Sequence, residues 1–264
     1  MIKVTTVPVK SYLSKSKIPG ADYAINPYIG CPHKCLYCYA KYMIKFSAHT
    51  EAWGDFLDVK IAQTPLRPAQ LFHAHVLLSS VTDPYNPFEQ KYGLTRKILA
   101  QLADAQAYVS VLTKSPLIVR DIDLLQQLPQ CEAGLSFSGA DETLRARIEP
   151  GAASICAKIE ALKTLHAHGI RTAVMIAPLL PQLTDWEKII TLTRPYTDTY
   201  RIDRLNMRTT ILRPVMDFIE MYYPHLLPLY RDLFLRQQTE YWDHLSHTIR
   251  AYVQQERLAA EVFF

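Results

Sequence analysis

The chain has 264 residues, of which 49% are hydrophobic and 20% are charged, and its formal net charge is +4. No segment approaches the roughly 18 apolar residues of a membrane-spanning helix, and residues 1–20 lack the apolar core of a secretory signal. We therefore expect a globular protein without a membrane partner. Its mild positive charge permits an anionic ligand but does not require one.

Six short apolar segments predict β-strands, and helical patterns lie between most of them. The predicted strands are residues 22–26, 75–81, 108–113, 133–138, 170–178 and 199–206. Helices are predicted at 91–105, after a Ser115–Pro116 cap, at 154–169 and at 184–193. This alternation indicates a parallel sheet with right-handed crossovers, either open and doubly wound or curled into a barrel. Six units are too few for a closed eight-stranded barrel, so we predict an α/β fold with a partial (β/α)6 barrel.

A single domain is predicted for residues 1–264, because the sequence shows no internal repeat and no low-complexity linker. Its core covers about 20–210. Residues from about 211 to 264 are predicted to form a mostly helical C-terminal extension that is broken at Pro224 and Pro228. Residues 47–70 are the longest stretch without a recognisable pattern.

Three of the five cysteines, Cys31, Cys35 and Cys38, lie within eight residues in a C-x3-C-x2-C arrangement. An odd number of cysteines argues against a disulfide framework and favours a reducing, cytoplasmic environment in which clustered thiolates bind metal. The loop follows the first predicted strand, at the edge of the sheet where barrel active sites lie. Thiolates select zinc or iron–sulfur clusters. Three cysteines would hold three irons of a cubane cluster and leave the fourth iron open to a ligand.

Other interpretations of these cysteines stay open on their spacing alone. His33 could complete a structural zinc site, because such a site needs four ligands. Cys35 and Cys38 could instead form a redox-active dithiol pair, or all three thiols could be buried apolar side chains without a ligand.

The cysteine motif, with Tyr37 before its last cysteine, resembles the signature of radical S-adenosylmethionine (SAM) enzymes. The resemblance implies that Cys31, Cys35 and Cys38 hold a [4Fe–4S] cluster whose open iron binds the amino and carboxylate groups of SAM. An external electron donor, such as a flavodoxin or a ferredoxin, would reduce that cluster. Reduction then splits SAM into methionine and a 5′-deoxyadenosyl radical.

Further segments between about 25 and 190 are similar to the spore photoproduct lyase-like branch of this superfamily, also described as DNA repair photolyase-like proteins. They are, in order, NPYIGCPHKCLYCYA, WGDFLDVKI, SSVTDPYNPFE, LTKSPLIVRDIDLL, IEPGA and GIRTAVMIAPLLPQLTD. Two features depart from the branch. Gly151 stands where an arginine is commoner, and the residues after 200 match nothing recognisable.

Position within this branch implies four SAM-binding residues. Lys114 and Ser136, at the ends of the third and fourth strands, would contact the carboxylate and the ribose or carboxylate of SAM. Ser80 ends the second strand and is a similar candidate, and Tyr37 would pack on the adenine. The structural alternatives are strand-end capping by Ser80 and Ser136 and a solvated surface position for Lys114.

Several other residues have competing interpretations. Asp83 and Tyr85 could lie at the mouth of the pocket or belong to a turn. Glu149 could face the pocket or carry charge at a helix end. Cys131 and Cys156 are predicted to be core residues and not ligands of a second cluster.

The resemblance thus implies a radical SAM enzyme whose substrate the sequence does not give. By analogy with the branch, nucleic acid is the suggested substrate class and lyase or DNA-repair chemistry the suggested reaction type. The chain is not predicted to be a true spore photoproduct lyase. Those enzymes use a cysteine near the end of the second strand as hydrogen-atom donor, and residues 75–85 contain none. The alternative is a zinc- or cluster-stabilised nucleic-acid-binding protein without catalysis.

Overall fold

Two β-sheets and ten α-helices make up the computed structural model, which describes residues 2–264. The strands are β1 (Lys3–Val9), β2 (Leu13–Lys15), β3 (Tyr23–Ile25), β4 (Tyr28–Ile29), β5 (Phe56–Ala62), β6 (His75–Leu78), β7 (Tyr108–Thr113), β8 (Gln130–Phe137), β9 (Arg171–Leu179), β10 (Thr199–Arg204) and β11 (Ala260–Val262). The helices are α1 (Pro68–Leu71), α2 (Glu89–Tyr92), α3 (Leu94–Asp104), α4 (Ile122–Leu125), α5 (Glu142–Ile148), α6 (Ile155–Ala167), α7 (Trp186–Thr193), α8 (Thr209–Tyr222), α9 (Leu227–Phe234) and α10 (Glu240–Gln255). Short 3-10 helices lie at Tyr39–Phe46, Pro116–Asp121, Arg194–Tyr196 and Pro224–Leu226.

The larger sheet runs in the order β2-β3-β6-β7-β8-β9-β10-β11. Its six central strands, β3 and β6 to β10, are parallel neighbours and correspond to the six strands that the sequence predicts. At the edges, β2 pairs antiparallel with β3 and β11 pairs parallel with β10. Within residues 2–264 the two edge strands do not pair with each other, so the sheet is an open, partial (β/α)6 barrel. The predicted fold class is confirmed.

Successive side chains of each central strand point to opposite faces of the sheet. On β7, Val109 and Val111 are buried in the main hydrophobic core, whereas Ser110 and Leu112 line a cavity on the inner face. The helices cover the outer face, where α6 contacts β8 and β9 and α7 contacts β9. The inner face is therefore left as the wall of the cavity.

One apolar face of α3 is buried. On α3, Leu94, Ile98 and Leu102 are all buried. The helix predicted at 91–105 is divided, because Gly93 adopts a left-handed φ of 60° between α2 and α3. The Ser115 cap is present, since its Oγ accepts a hydrogen bond from the Leu117 N–H at 3.3 Å.

The smaller sheet, in the order β1-β5-β4, is absent from the sequence-based prediction. Its central strand β5 lies within residues 47–70, where no pattern is recognisable. The four consecutive residues Phe56–Val59 are all buried, so the alternation that marks a half-exposed strand is missing. β4 pairs antiparallel with β5 and leads into the cysteine loop. The smaller sheet therefore fixes the chain just before that loop.

The C-terminal region is helical as far as Gln255, with two differences from the prediction. Pro228 does not break a helix but lies in the first turn of α9, where a backbone N–H is not needed. Residues 260–262 form β11 instead of a helix. One hydrophobic core runs from Ile25 on β3 to Ile249 on α10, while the single domain of residues 1–264 stays a prediction.

The helices of residues 2–264 include none that combines the length and the apolar character needed to cross a bilayer.

Glu89, at the start of α2, is fully buried and connects the smaller sheet to the helices around it. Its carboxylate accepts hydrogen bonds from the Tyr28 hydroxyl on β4, from the Thr95 N–H at 3.0 Å and from the Arg120 guanidinium at 2.7 Å. A buried carboxylate is tolerated only when such donors satisfy it.

Glu89→Ala should lower the free energy of unfolding by about 2–5 kcal/mol, because the buried Tyr28 hydroxyl and the Thr95 N–H lose their acceptor, while Arg120 keeps its bonds to Asp121. The matched control is Glu160→Ala, which removes an exposed ion pair with Lys163 at 3.9 Å and should cost less than about 0.5 kcal/mol. Urea unfolding followed by circular dichroism measures both variants. Equal losses in the two would contradict this role for Glu89.

Candidate active site

The cysteine loop, residues 30–38, carries the three predicted metal ligands. Cys35 is buried, Cys31 and Cys38 are half-buried, and all three are free thiols. Two turns shape the loop, since the Lys34 N–H bonds to the Cys31 carbonyl at 3.2 Å and the Cys38 N–H bonds to the Cys35 carbonyl at 3.2 Å. A bond of 2.8 Å from the Leu36 N–H to a carbonyl at the end of α5 fixes the loop to the body of the protein.

Two glycines let the loop lie directly against its neighbours. The Gly151 N–H donates to the His33 carbonyl at 3.0 Å, and a Cβ at Gly151 would lie 2.2 Å from the carbonyl oxygen of Pro32. Gly30 has a φ of 88°, and a Cβ there would lie 2.4 Å from the carbonyl oxygen of Phe56. Gly151, one of the two departures from the branch pattern, is therefore required by the packing of the loop.

The chemistry of the three thiols fits a metal cluster. Burial raises the pKa of Cys31 to about 12 and the pKa of Cys35 well above its ordinary value. Such thiols are inert when they are alone, whereas coordination to a metal ion removes their protons. Three unpaired thiols in one short, anchored loop supply the soft donors that iron–sulfur clusters require.

A single zinc ion would need a fourth ligand beside the three thiols, because structural zinc sites are closed and four-coordinate. His33, the candidate fourth zinc ligand, instead has its Nδ1 3.3 Å from the Asp83 carboxylate.

Asp83 connects the cysteine loop to the end of β7. Its carboxylate accepts hydrogen bonds from the Thr113 hydroxyl at 2.6 Å and from the Lys114 N–H at 2.8 Å, in addition to its contact with His33. Although burial raises it, His33 and these donors hold the pKa of Asp83 below its usual value. Asp83 and Tyr85 are both buried and do not line the cavity, so neither lies at its mouth.

Three of the four predicted SAM-binding residues lie together. The Lys114 Nζ is 2.8 Å from the Ser136 Oγ and 5.9 Å from the centre of the Tyr37 ring. The Lys114 side chain is only 15% exposed, so it is not a solvated surface lysine. Ser136 is buried and bonds to Lys114, and its hydroxyl makes no capping bond at the end of β8.

Ser80 lies on the wall of the same cavity but has different partners. Its Oγ accepts a hydrogen bond from the Asn26 amide at 3.3 Å, and its backbone N–H donates to the Asn26 Oδ1 at 2.9 Å. The Tyr39 hydroxyl donates to the Ser80 carbonyl. Ser80 therefore makes the strand-end capping contacts that were the alternative to SAM binding, and it also lines the cavity.

Glu149 is the charged centre of the site; it does not line the cavity itself but contacts Tyr37 and Lys114, which do. It is fully buried, and its Oε1 accepts hydrogen bonds from the Tyr37 hydroxyl and from the Ser138 hydroxyl at 2.9 Å. The ammonium groups of Lys114 and Lys158 lie 3.6 and 3.7 Å from its oxygens. Although burial raises it, the two lysines bring the pKa of Glu149 down to about 2.

Lys158 on α6 is the site residue that sequence reasoning missed. Its side chain is fully buried, and its Nζ donates to the Ser136 carbonyl at 2.9 Å. A signal was available, because Lys158 follows Ile155 by three residues and precedes Leu162 by four, which places a charge on the apolar face of a predicted helix.

A cavity of about 940 Å³ fills the inside of the open sheet. Its lining includes Tyr37, Lys114 and Ser136 and apolar residues such as Leu112 and Met175. On the same wall Arg201 pairs with Glu132 of β8 and with Glu261 of β11, the latter at 3.1 Å. The lining can therefore contact both a charged ligand head and an apolar ligand body.

Neither spare cysteine lines this cavity. Cys131 packs against the main core from β8, on the face opposite the cavity-lining residues Glu132 and Gly134. Cys156 is exposed on α6, so the predicted core position is wrong for that residue.

A family model described as "Radical SAM superfamily" matches residues 25–193, which is more than half of the chain. The chain belongs to the radical SAM superfamily. Members of this superfamily typically bind a [4Fe–4S] cluster and SAM. The match includes the cysteine loop, Lys114, Ser136, Glu149 and Lys158.

Two relatives of this radical SAM protein have names that state no function. A protein of Methanocaldococcus jannaschii is 38% identical over 223 residues, which are 84% of this chain and 85% of that protein. A protein of Mycobacterium tuberculosis is 33% identical over 187 residues, which are 64% of this chain and 54% of that protein. The match thus spans about half the length of the mycobacterial relative.

Among solved structures, spore photoproduct lyase complexed with dinucleoside spore photoproduct is similar, with a TM-score of 0.70 and 15% sequence identity. The match covers 98% of this chain and 81% of the lyase. At this identity the likeness concerns the fold, which this radical SAM protein shares.

Gly151→Ala should destabilise the cysteine loop, because the new Cβ would lie 2.2 Å from the Pro32 carbonyl oxygen. Overpacking of this kind costs about 1–3 kcal/mol. Gly139→Ala is the control, since its Cβ meets only the flexible end of the Leu144 side chain, at 3.2 Å. Thermal unfolding measures both, and an unchanged midpoint in Gly151→Ala would show that the loop does not pack as described.

Proposed function

We propose that this protein is a radical SAM enzyme that holds a [4Fe–4S] cluster on Cys31, Cys35 and Cys38. The observation that carries the proposal is the meeting of Lys114, Ser136 and Tyr37 beside a loop of three free thiols. An ammonium group, a hydroxyl and an aromatic ring are the groups that suit the carboxylate, the ribose and the adenine of SAM.

Each residue has a distinct role in binding SAM. The Lys114 ammonium pairs with the carboxylate, and a charge-assisted bond of this type contributes about 1.5–3 kcal/mol. Ser136 supplies a hydroxyl to the ribose or carboxylate, and Tyr37 packs on the adenine. Ser80 accepts its bond from Asn26, which leaves its O–H available as a further donor from the end of β6.

When bound, the cluster and SAM supply a 5′-deoxyadenosyl radical, and the protein supplies binding, orientation and a dry cavity. Leu77, Leu112 and Met175 line that cavity, and their apolar side chains exclude water from the reacting atoms. An external donor such as a flavodoxin or a ferredoxin provides the electron. A cytoplasmic location suits three thiols that must stay reduced.

A nucleic acid is the substrate class that we favour, with lyase or DNA-repair chemistry as the reaction type. The support is the shared fold of spore photoproduct lyase complexed with dinucleoside spore photoproduct. The cavity is about 940 Å³, at the upper end of the volumes typical of small-molecule sites. It therefore has room for part of a substrate beside SAM.

Iron loading tests the cluster. Cys31→Ala, Cys35→Ala and Cys38→Ala should each lose the iron and the broad brown absorbance of a [4Fe–4S] cluster after anaerobic reconstitution, because each removes one thiolate ligand. Cys131→Ala and Cys156→Ala are the matched controls and should keep both.

The reconstituted wild-type protein, reduced with dithionite, should also convert SAM into 5′-deoxyadenosine and methionine. Full iron content in Cys38→Ala would overturn the ligand assignment. A colourless wild-type protein that contains zinc and no iron would instead support a nucleic-acid-binding protein without catalysis.

The protein should not repair spore photoproduct as a spore photoproduct lyase does. Hydrogen return to the product radical needs a weak S–H bond, and no cysteine of residues 2–264 lines the cavity. The O–H bonds of Ser79 and Ser80 are too strong to replace a thiol. The reduced protein and SAM are incubated with DNA that contains spore photoproduct, and restored thymine is measured beside 5′-deoxyadenosine. Rapid repair would contradict this prediction.

A further inference from the structure

Lys158 occupies a position that lysines rarely take. It lies on the buried face of α6, its side chain has no exposure, and its Nζ is 4.5 Å from the centre of the Phe137 ring. A fully buried ammonium group is costly unless an anion and hydrogen-bond acceptors compensate it. The compensating groups are the Ser136 carbonyl at 2.9 Å and the Glu149 carboxylate at 3.7 Å.

The Glu149 carboxylate lies between the ammonium groups of Lys114 and Lys158. Its Oε1 takes hydrogen bonds from Tyr37 and Ser138, while its Oε2 is buried and has no hydrogen-bond partner among residues 2–264. Lys114 lies near one oxygen and Lys158 near the other, at almost equal distances of 3.6 and 3.7 Å. At similar distances the two ammonium groups attract the carboxylate with similar strength.

Lys114 lies close to Glu149 but is not hydrogen-bonded to it. Its Nζ donates to the Ser136 Oγ at 2.8 Å, and its distance of 3.6 Å from Glu149 is too long for a hydrogen bond. Lys114 lines the cavity together with Tyr37 and Ser136. Without Lys158, Lys114 would be the only ammonium group beside the buried carboxylate, and we expect its Nζ to move from 3.6 Å into a direct hydrogen bond with Glu149.

We propose that Lys158 is a positioning residue for Lys114. Lys158 offsets the charge of Glu149, so that the carboxylate does not capture the Lys114 ammonium, and Lys114 stays available for the carboxylate of SAM. This inference rests on the proposed function, because it assumes that SAM is the ligand of Lys114.

Lys158→Met tests the first step, since methionine keeps the length and apolar character of the side chain but removes its charge. We expect the dissociation constant for SAM to rise about tenfold, which corresponds to about 1.4 kcal/mol. Equilibrium dialysis of labelled SAM against the reconstituted, unreduced protein measures it without turnover. The control is Lys163→Met on the same helix, whose side chain is 53% exposed and which should bind SAM as the wild type does.

A double variant separates positioning from packing. In Lys158→Met/Glu149→Gln the carboxylate that would capture Lys114 is gone, so SAM affinity should return to within about threefold of the wild type. A packing role for Lys158 predicts the opposite, namely that the double variant binds no better than Lys158→Met. That result would overturn the inference, as would normal SAM binding by folded, iron-loaded Lys158→Met.

Iron content and thermal unfolding are measured for every variant. If Lys158→Met does not fold, the double variant decides alone, with near-normal affinity supporting the inference and a loss of more than about tenfold overturning it. A reconstituted wild-type protein that does not bind SAM contradicts the proposed function itself. The two failures can be distinguished. If the wild type binds SAM and the variants do not behave as expected, only the inference about Lys158 fails.

Discussion

The carboxylate of Glu149 is buried away from water, so the groups around it must compensate its charge. This requirement constrains every segment that contacts Glu149. Its partners come from four separate segments. Tyr37 belongs to the cysteine loop, Lys114 follows β7, Ser138 follows β8 and Lys158 comes from α6. All four segments must reach the same point for the charge to be tolerated, so a single group links the cysteine loop, the sheet and the outer helix.

The sheet leaves room for this site because its two faces have different residues. The outer face carries large apolar side chains that are buried beneath the helices, such as Val111, Leu135 and Val174. The inner face has small residues at the corresponding places, including Gly134 and Ala173. A closed eight-stranded barrel fills its interior with layers of bulky side chains, whereas six parallel strands with small inner residues keep a cavity. The outer face of each strand therefore contributes to the stability of the fold, and the inner face forms the wall of the candidate binding site.

The sequence predicted the six parallel strands because each is a short apolar segment between turns, and β7 has the predicted bounds of Tyr108–Thr113. It did not predict β5, whose partner β1 lies about fifty residues earlier in the chain, since such pairing leaves no local pattern. β11, with three residues, is too short to distinguish from a loop.

The residues of the candidate site also differ in how far the sequence predicted them. The three cysteines follow from their spacing, whereas Lys114 and Ser136 depended on resemblance and lie together only because β7 and β8 are adjacent. Glu149 has no comparable local signal, because its role comes from partners up to 112 residues away. Lys158 was recognisable as a charge on an apolar helical face, although that face alone does not reveal which anion compensates it.

The residues around the cavity have different origins in the chain. The cysteine loop, Lys114 and Ser136 lie within residues 25–193, the part that matches the superfamily. Arg201 on β10 and Glu261 on β11 lie beyond that match and pair with each other across the last two strands. β11 is an edge strand, which can change without disturbing the central ladder because it is bonded on one side only. The cavity wall outside the superfamily match is thus built at one side of the sheet, on the paired strand β10 and the free edge β11.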